Sequence, residues 1–344
     1  MDFSDQILKW YKTHQRDLPW RHTRDAYKIW LSEVILQQTR VDQGMAYYKK
    51  FVDRFPEIID LAEAPEQEVL KLWQGLGYYS RARNLHFAVK QIMTDHDGIF
   101  PETYDEIIKL KGVGEYTAAA IASIAFGKPE VVVDGNVKRV LARMFGLEDV
   151  SKKLYNRSKE IMEKELDRER AGDFNQAVME FGALQCTPQS PSCTRCVFKS
   201  SCYAFSNDMV DKLPVRETKK KPRKRFFSYF ILHPQEKSIV LSKRSDDDIW
   251  KNLYEFPLIE TISEANADNL LQEPDFINWF GNKAGIAESS KTFKHQLSHQ
   301  TIFAKYYEIT NIDAKLFPEG WKVVSLDEIA DYPISRLMER SLED

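Results

Sequence analysis

Cysteine is missing from nearly all of this chain. No cysteine lies before position 186 or after position 202, yet Cys186, Cys193, Cys196 and Cys202 lie between. A disulfide framework spread over the molecule is thereby excluded. Long apolar runs are missing too: no segment reaches the roughly 20 apolar residues of a membrane span. The opening Met1-Asp-Phe-Ser-Asp5 lacks the basic-then-apolar order of a secretory signal, so the expectation is a cytoplasmic protein, where thiols stay reduced. Neither sign of charge is in excess. Lys and Arg number 49, Asp and Glu 52, for a net charge of −3. That balance does not announce a nucleic-acid binder, and it does not exclude one, because binding depends on local patches. No internal repeat and no long low-complexity tract is present. At 344 residues, 43% hydrophobic and 29% charged, the chain has material for two or three globular domains.

Period-2 alternation is almost absent before residue 205. Helical spacing fills that part instead, over 5–15, 47–55, 66–75, 81–96, 103–110, 116–126, 136–145, 152–167 and 173–184. Another helix carries Tyr27, Trp30, Leu31, Val34 and Ile35 on one face, the i, i+3, i+4, i+7, i+8 pattern. Residues 206–225 read as a linker, with two prolines and the basic run Lys219-Lys-Lys-Pro-Arg-Lys-Arg225. Beyond it, strand patterns at 226–233, 238–242, 301–310 and 321–325 mix with helical ones at 263–271, 275–281 and 326–339. The expectation is an all-α region followed by an α+β domain.

Four features carry chemistry. Leu110-Lys-Gly-Val-Gly-Glu-Tyr-Thr117 is a glycine turn feeding an alanine-rich helix. Gly112 and Gly114 would let peptide N–H groups approach a phosphate at a helix N-terminus. Val131-Val-Val-Asp-Gly-Asn136 delivers Asp134 to the start of the next helix. As an N-cap Asp134 needs no other function, but the position also favours an ionised carboxylate. Glu33 lies among Trp30, Leu31, Val34, Ile35 and Leu36. If it is desolvated there, its pKa rises and it can serve as a general acid. One protonated and one ionised carboxyl form the pattern of glycoside cleavage. The thiols, spaced C-x6-C-x2-C-x5-C, suit an iron–sulfur cluster better than zinc, whose ligands come in two close pairs.

Together these residues resemble the helix-hairpin-helix DNA glycosylases with an iron–sulfur loop, the endonuclease III superfamily. Within it they are most similar to the adenine DNA glycosylase family. Trp30-Leu-Ser-Glu-Val-Ile-Leu-Gln-Gln-Thr-Arg40, Gln74-Gly-Leu-Gly-Tyr-Tyr-Ser-Arg81 and Val133-Asp-Gly-Asn-Val-Lys-Arg139 carry the resemblance, with the cysteine spacing. It implies a helix-hairpin-helix catalytic region at 1–205, with a six-helix-barrel part near 21–134 and a [4Fe–4S] part at 1–20 and 135–205. It also implies a linker at 206–225 and a MutT-like, Nudix-fold domain at 226–344 that reads 8-oxoguanine. The implied reaction excises adenine opposite 8-oxoguanine, and from G:A pairs, in double-stranded DNA. Glu33 would protonate adenine, Asp134 would stabilise the oxocarbenium ion, and Tyr116 and Asn136 would shape the site. Trp20, Arg21 and Gln176 would line the adenine pocket. Gln37 and Tyr78 would wedge into the duplex, with Gln38, Thr39 and Leu76 on the 8-oxoguanine side. The cluster would be held by Cys186, Cys193, Cys196 and Cys202. The implied protein is a nucleoid-associated monomer with no membrane partner.

Bifunctional relatives carry a lysine where this chain has Tyr116, and a phenol cannot form a Schiff base. Base excision without efficient strand cleavage follows, with Lys111 as a source of weak nicking. In the C-terminal domain, Gln296-Leu-Ser-His-Gln300 resembles the family's F-S-H recognition loop. Ser298 and His299 match, and Leu297 replaces the aromatic. No glutamate-rich Nudix helix signature occurs between 226 and 344, so nucleotide hydrolysis is not expected.

Overall fold

The computed structural model describes residues 2–215, 221–245, 248–287 and 292–343. Two compact units emerge. One comprises Met1–Glu63 and Asn84–Thr218, the other Ala64–Arg83 and Lys219–Asp344. The expected class stands: helices first, then a mixed α+β domain. No described helix is long and apolar enough to cross a membrane.

The helical part runs α1 (Phe3–His14), α2 (Ala26–Leu36), α3 (Val41–Arg54), α4 (Ile58–Glu63), α5 (Glu66–Leu72), α6 (Ser80–Asp95), α7 (Tyr104–Ile107), α8 (Glu115–Phe126), α9 (Gly135–Phe145), α10 (Ser151–Glu165), α11 (Ala171–Leu184) and α12 (Tyr203–Ser206). Aspartates start the helices that matter most. Asp25 accepts from the Tyr27 and Lys28 N–H groups at α2, and Asp134 from Val137 N–H at α9, satisfying donors a helix start leaves unpaired. Helix α2 packs on α3 and α8, and α11 on α1, α8 and α9. The α9–α11 crossing is very close. A Cβ on Gly182 would sit 2.6 Å from Asn136 Cβ. At the hairpin, Gly112 has φ +77°, and a Cβ there would lie 2.5 Å from Asn84 Cβ. Both backbone conformation and space demand glycine at that turn.

The second unit has β1 (Arg223–Ile231), β2 (Ser238–Lys243), β3 (Tyr254–Glu255), β4 (Leu258–Thr261), α13 (Ala267–Leu270), α14 (Pro274–Phe280), β5 (Gly285–Ile286), β6 (Thr292–Gln296), β7 (Gln300–Thr310), β8 (Lys322–Ser325) and α15 (Arg336–Glu343). The order in the larger sheet is β4-β1-β7-β5, with β6 also on β7, while β3-β2-β8 form a second sheet. Strands β1 and β7 run parallel, Arg223 beside Gln300. One sheet face buries Phe227, Tyr229, Ile302 and Ala304, and the other Phe230, Tyr307 and Ile309. The stretch from α5 to the start of α6 is bonded into this unit: Tyr79 Oη donates to Ile334 O (3.2 Å) and Lys71 Nζ to Tyr332 O (3.2 Å).

Three expectations need correction. The helix expected at 326–339 is broken. A 3₁₀ turn spans Leu326–Asp331, Ile334 bridges to Tyr254, and α15 begins at Arg336. Pro333 explains the break, because it disfavours helix at the residue before it. Strands β3, β4, β5 and β6 were not expected. They are short and exist through their pairing with longer neighbours. Strand β1 starts at Arg223, inside the segment read as linker. Lys219 and Lys220 lie outside the described residues.

Candidate active site

A cavity of about 640 Å³ opens in the helical unit. It brings together Glu33 from α2, Tyr116 from α8, Asp134 and Asn136 from the start of α9, Gln176 from α11, and Trp20 and Arg21 from the turn after α1. All seven residues expected to catalyse or to hold adenine thus line one space. Thr39 lines it too.

The Tyr116 hydroxyl donates to Glu33 Oε2 at 2.5 Å and lies 3.7 Å from Met179 Sδ. The Glu33 carboxyl is deeply embedded although the residue keeps a partly exposed flank. Burial lifts its pKa to about 7. The hydrogen bond from Tyr116 opposes the rise, and the nearby Asp134 charge adds to it. Burial also drives the Tyr116 phenol well above its ordinary value, so it is a donor, not a phenolate.

Asp134 accepts from Val137 N–H (2.6 Å) and from Asn136 Nδ2 (2.8 Å). The expectation of an N-cap that favours the ionised form meets a competing force. Burial raises the Asp134 pKa above the usual carboxylate value, while those donors and the Arg139 charge pull it down. The net shift of Asp134 is upward, against the expected N-cap effect, and Glu33, with Tyr116 as its donor, is raised as well. Arg139 Nη2 donates to Asn136 Oδ1 (2.8 Å) and Nε to Cys186 O (2.8 Å), joining the start of α9 to the cysteine loop.

Sequence reasoning overlooked Glu180. It is buried, and both Arg16 and Arg21 grip it at 2.7 and 2.8 Å. Burial alone would raise its carboxyl, but the bonds from the two arginines hold it down at about 2. Arg21, expected to line the adenine pocket, does line the cavity and is also half of this clamp. A signal existed: Glu180 follows Gln176 by four residues on α11, so they share a helical face, and its neighbours Val178, Met179 and Phe181 are apolar.

Gly114 at the N-cap of α8 brings no side-chain acceptor to the first N–H groups of that helix. Lys111 is exposed there and is not among the cavity-lining residues. Gln37 ends α2 with its amide donating to Thr117 Oγ1 (3.3 Å), and exposed Gln38 has φ 56°. Neither lines the cavity.

Leu76, Tyr78, Ser298 and His299 meet in the second unit, around a separate cavity of about 530 Å³. The Tyr78 and Ser298 hydroxyls are hydrogen-bonded across 220 residues of chain. Leu297 N–H donates to Gln300 O at 2.8 Å, closing the turn. The Leu297 side chain packs onto the β core, so this residue anchors the turn rather than projecting from it.

The four cysteines are half-buried and unpaired. Cys186, Cys196 and Cys202 pack on the core formed with α1, α9 and α11. Arg143 Nη1 donates to Cys186 Sγ at 3.5 Å, and Cys202 Sγ lies 3.5 Å from Arg143 O. Among the described residues, no three His, Cys, Asp or Glu side chains converge as one metal ion requires.

A glycine hairpin between α7 and α8, with an acid and an aspartate N-cap on one cavity, defines the class of the helical part: residues 31–166 match the model for the HhH-GPD superfamily base excision DNA repair protein. Residues 228–344 match a NUDIX domain. The chain belongs to the adenine DNA glycosylase family. It is 36% identical over 305 residues to the adenine DNA glycosylase of Buchnera aphidicola subsp. Baizongia pistaciae, covering 88% of this chain and 84% of that one. With the Arabidopsis thaliana adenine DNA glycosylase it shares 39% over 302 residues, 76% of this chain and 48% of that one. The solved structure of a thermostable thymine-DNA glycosylase superposes with TM-score 0.56 at 33% identity, over 59% of this chain and 95% of that one.

Proposed function

We propose that this protein excises adenine paired with 8-oxoguanine, and from G:A pairs, by hydrolysing the N-glycosidic bond and leaving the strand intact. One observation carries the reading: a buried Glu33 carboxyl with a pKa near 7 shares a cavity with the hydrogen-bonded N-cap Asp134. The bond to be broken is hidden in the base stack, so the adenine must be flipped into the cavity. Glu33 then donates its proton to adenine N7. The C1′–N9 bond breaks with its electron pair leaving on the adenine, and Asp134 stabilises the positive charge left on the sugar. Water adds at C1′ and loses a proton, giving free adenine and an abasic sugar. Tyr116 holds Glu33 in place, and Asn136 holds Asp134. Trp20, Gln176 and the Arg16–Arg21–Glu180 clamp form the base-side wall.

Gly112, Gly114 and the N-terminus of α8 suit a backbone phosphate. Gln37, Gln38 and Thr39 belong to the duplex-facing side, as do Leu76 and Tyr78. Ser298 and His299 read 8-oxoguanine. In this reading residues 1–205 excise, the segment after 205 links as far as the start of β1 at Arg223, and the chain from β1 to 344 reads, in a monomer acting on duplex DNA in the cytoplasm.

The assay is a duplex containing 8-oxoguanine:adenine, worked up with and without alkali. Strand breakage at the adenine only after alkali is expected. Breakage without alkali would show a bifunctional enzyme. Tight binding with no cleavage in either work-up would remove catalysis altogether.

Cys186, Cys193, Cys196 and Cys202 fit a [4Fe–4S] cluster. All four are free thiols on one loop, and the Arg143 guanidinium faces the sulfur of Cys186. A four-iron cluster spreads its ligands over four corners and does not need the tight convergence of a single ion. Bound there, it would tie the loop to the α9–α11 core. Purified protein should carry roughly four irons and matching sulfide, and Cys196→Ser should lower both; one zinc per chain without sulfide would refute the assignment.

A further inference from the structure

The basic run Lys219–Arg225 has no part in the chemistry above, and its members differ in state. Arg225 is fully committed inside the second unit. It is 6% exposed. It donates to Glu260 Oε1 (2.7 Å) and Gln300 Oε1 (3.0 Å), and pairs with Asp248 at 2.6 Å. No charge is left there for a phosphate.

Arg223 is the opposite case. It is exposed, and its guanidinium makes no ion pair among the described residues. Its backbone, however, is fixed. Arg223 N–H donates to His299 O at 2.9 Å, and the parallel β1–β7 register sets it beside Gln300. Strand alternation places it on the same sheet face as Arg225 and Phe227, about 7 Å further along. That is the face on which Gln300, Leu297 and Asp248 line the cavity at the Ser298–His299 turn. A guanidinium with no ion pair among the described residues is therefore held on a strand hydrogen-bonded to that turn.

We infer that Arg223 is a phosphate-binding residue, gripping a phosphodiester of the DNA strand whose base the Ser298–His299 turn reads. The planar guanidinium fork matches two phosphate oxygens, and no described carboxylate competes for it. A phosphate contact carries no sequence information by itself. Arg223 therefore sets affinity and register, while Ser298 sets discrimination. The inference rests on the proposed reading role of that turn.

The test uses the full-length, cluster-loaded protein carrying Glu33→Gln, so that binding is read without turnover. Arg223→Gln and Arg223→Lys are compared with their parent on 8-oxoguanine:A, G:A and fully paired duplexes between 50 and 200 mM salt. Arg223→Gln keeps the N–H that pairs with His299, so an unchanged melting temperature is the folding control. It should weaken binding to all three duplexes by the same factor. It should also reduce the slope of log K against log salt by about one, making the affinity lost across that salt range about 3.5-fold smaller. Arg223→Lys should keep the slope. An unchanged slope on every duplex overturns the inference, and so does a loss confined to 8-oxoguanine:A, which would make Arg223 a base reader. If the parent shows no preference for 8-oxoguanine:A, the reading role of the turn fails, yet the slopes still decide Arg223.

Discussion

Glu33→Gln is expected to slow adenine excision by roughly 10²–10⁴-fold, the usual worth of a general acid, while duplex affinity stays within a few-fold. Glutamine still accepts the Tyr116 hydrogen bond but has no proton to give. Single-turnover excision beside equilibrium binding separates these effects, and near-normal turnover would remove Glu33 from the chemistry. The parent should show a matching pH dependence. The productive form is the protonated one and its pKa is about 7, so excision should fall as pH rises through 7. Stability follows the same sign. The folded pKa lies above the unfolded value near 4.5, so the folded state holds the extra proton between those values. The contribution is whole below about 4.5 and is lost as pH rises through 7. Glu33→Gln escapes that loss. Its melting temperature should exceed the parent's at pH 8, and the gap should close towards pH 4.5. An equal gap at both pH values would mean that burial of the charge is not the cause.

Asp134→Asn should reduce excision by roughly 10²–10³-fold, the effect of removing one preorganised electrostatic contact, and leave the fold intact. Asparagine caps a helix about as well as aspartate, so the bond from Val137 N–H survives and stability should move by less than about 1 kcal/mol. The substitution therefore separates the structural from the chemical use of one side chain. Loss of excision with an unchanged melting curve supports the chemical use. Excision within twofold of the parent would leave Asp134 a cap and nothing more. A second effect follows from proximity. The Asp134 charge helps raise Glu33, so whatever excision remains should lose its pH dependence at a more acidic value than in the parent.

Much of this was legible in the chain before folding, because it depends on local rules. An aspartate before Gly135-Asn136 reads as a helix start, and α9 begins there. An acid amid Trp30, Leu31, Val34 and Ile35 has little water to face on any helical arrangement. Four clustered thiols need no structure to be seen as a set. The break before α15 went unread at 326–339, although Pro333 disfavours the continuous helix that the apolar spacing suggested.

What sequence could not settle are quantities set by neighbours far away in the chain. Glu180 meets Arg16 across 164 positions, and only the packing of α11 against α1 makes that acid strong and places Arg21 in a clamp. Arg223 and Arg225 read alike in a basic run. Strand pairing buries one between carboxylates and leaves the other exposed. The sequence by itself determined the family and the order of helical and mixed regions, since these follow from residue types at fixed spacing, and it nominated Glu33, Asp134, Tyr116 and the cysteines as candidates. Tertiary structure alone decided which carboxyl is lifted and which held down, because a pKa answers to burial and to the charges brought beside it.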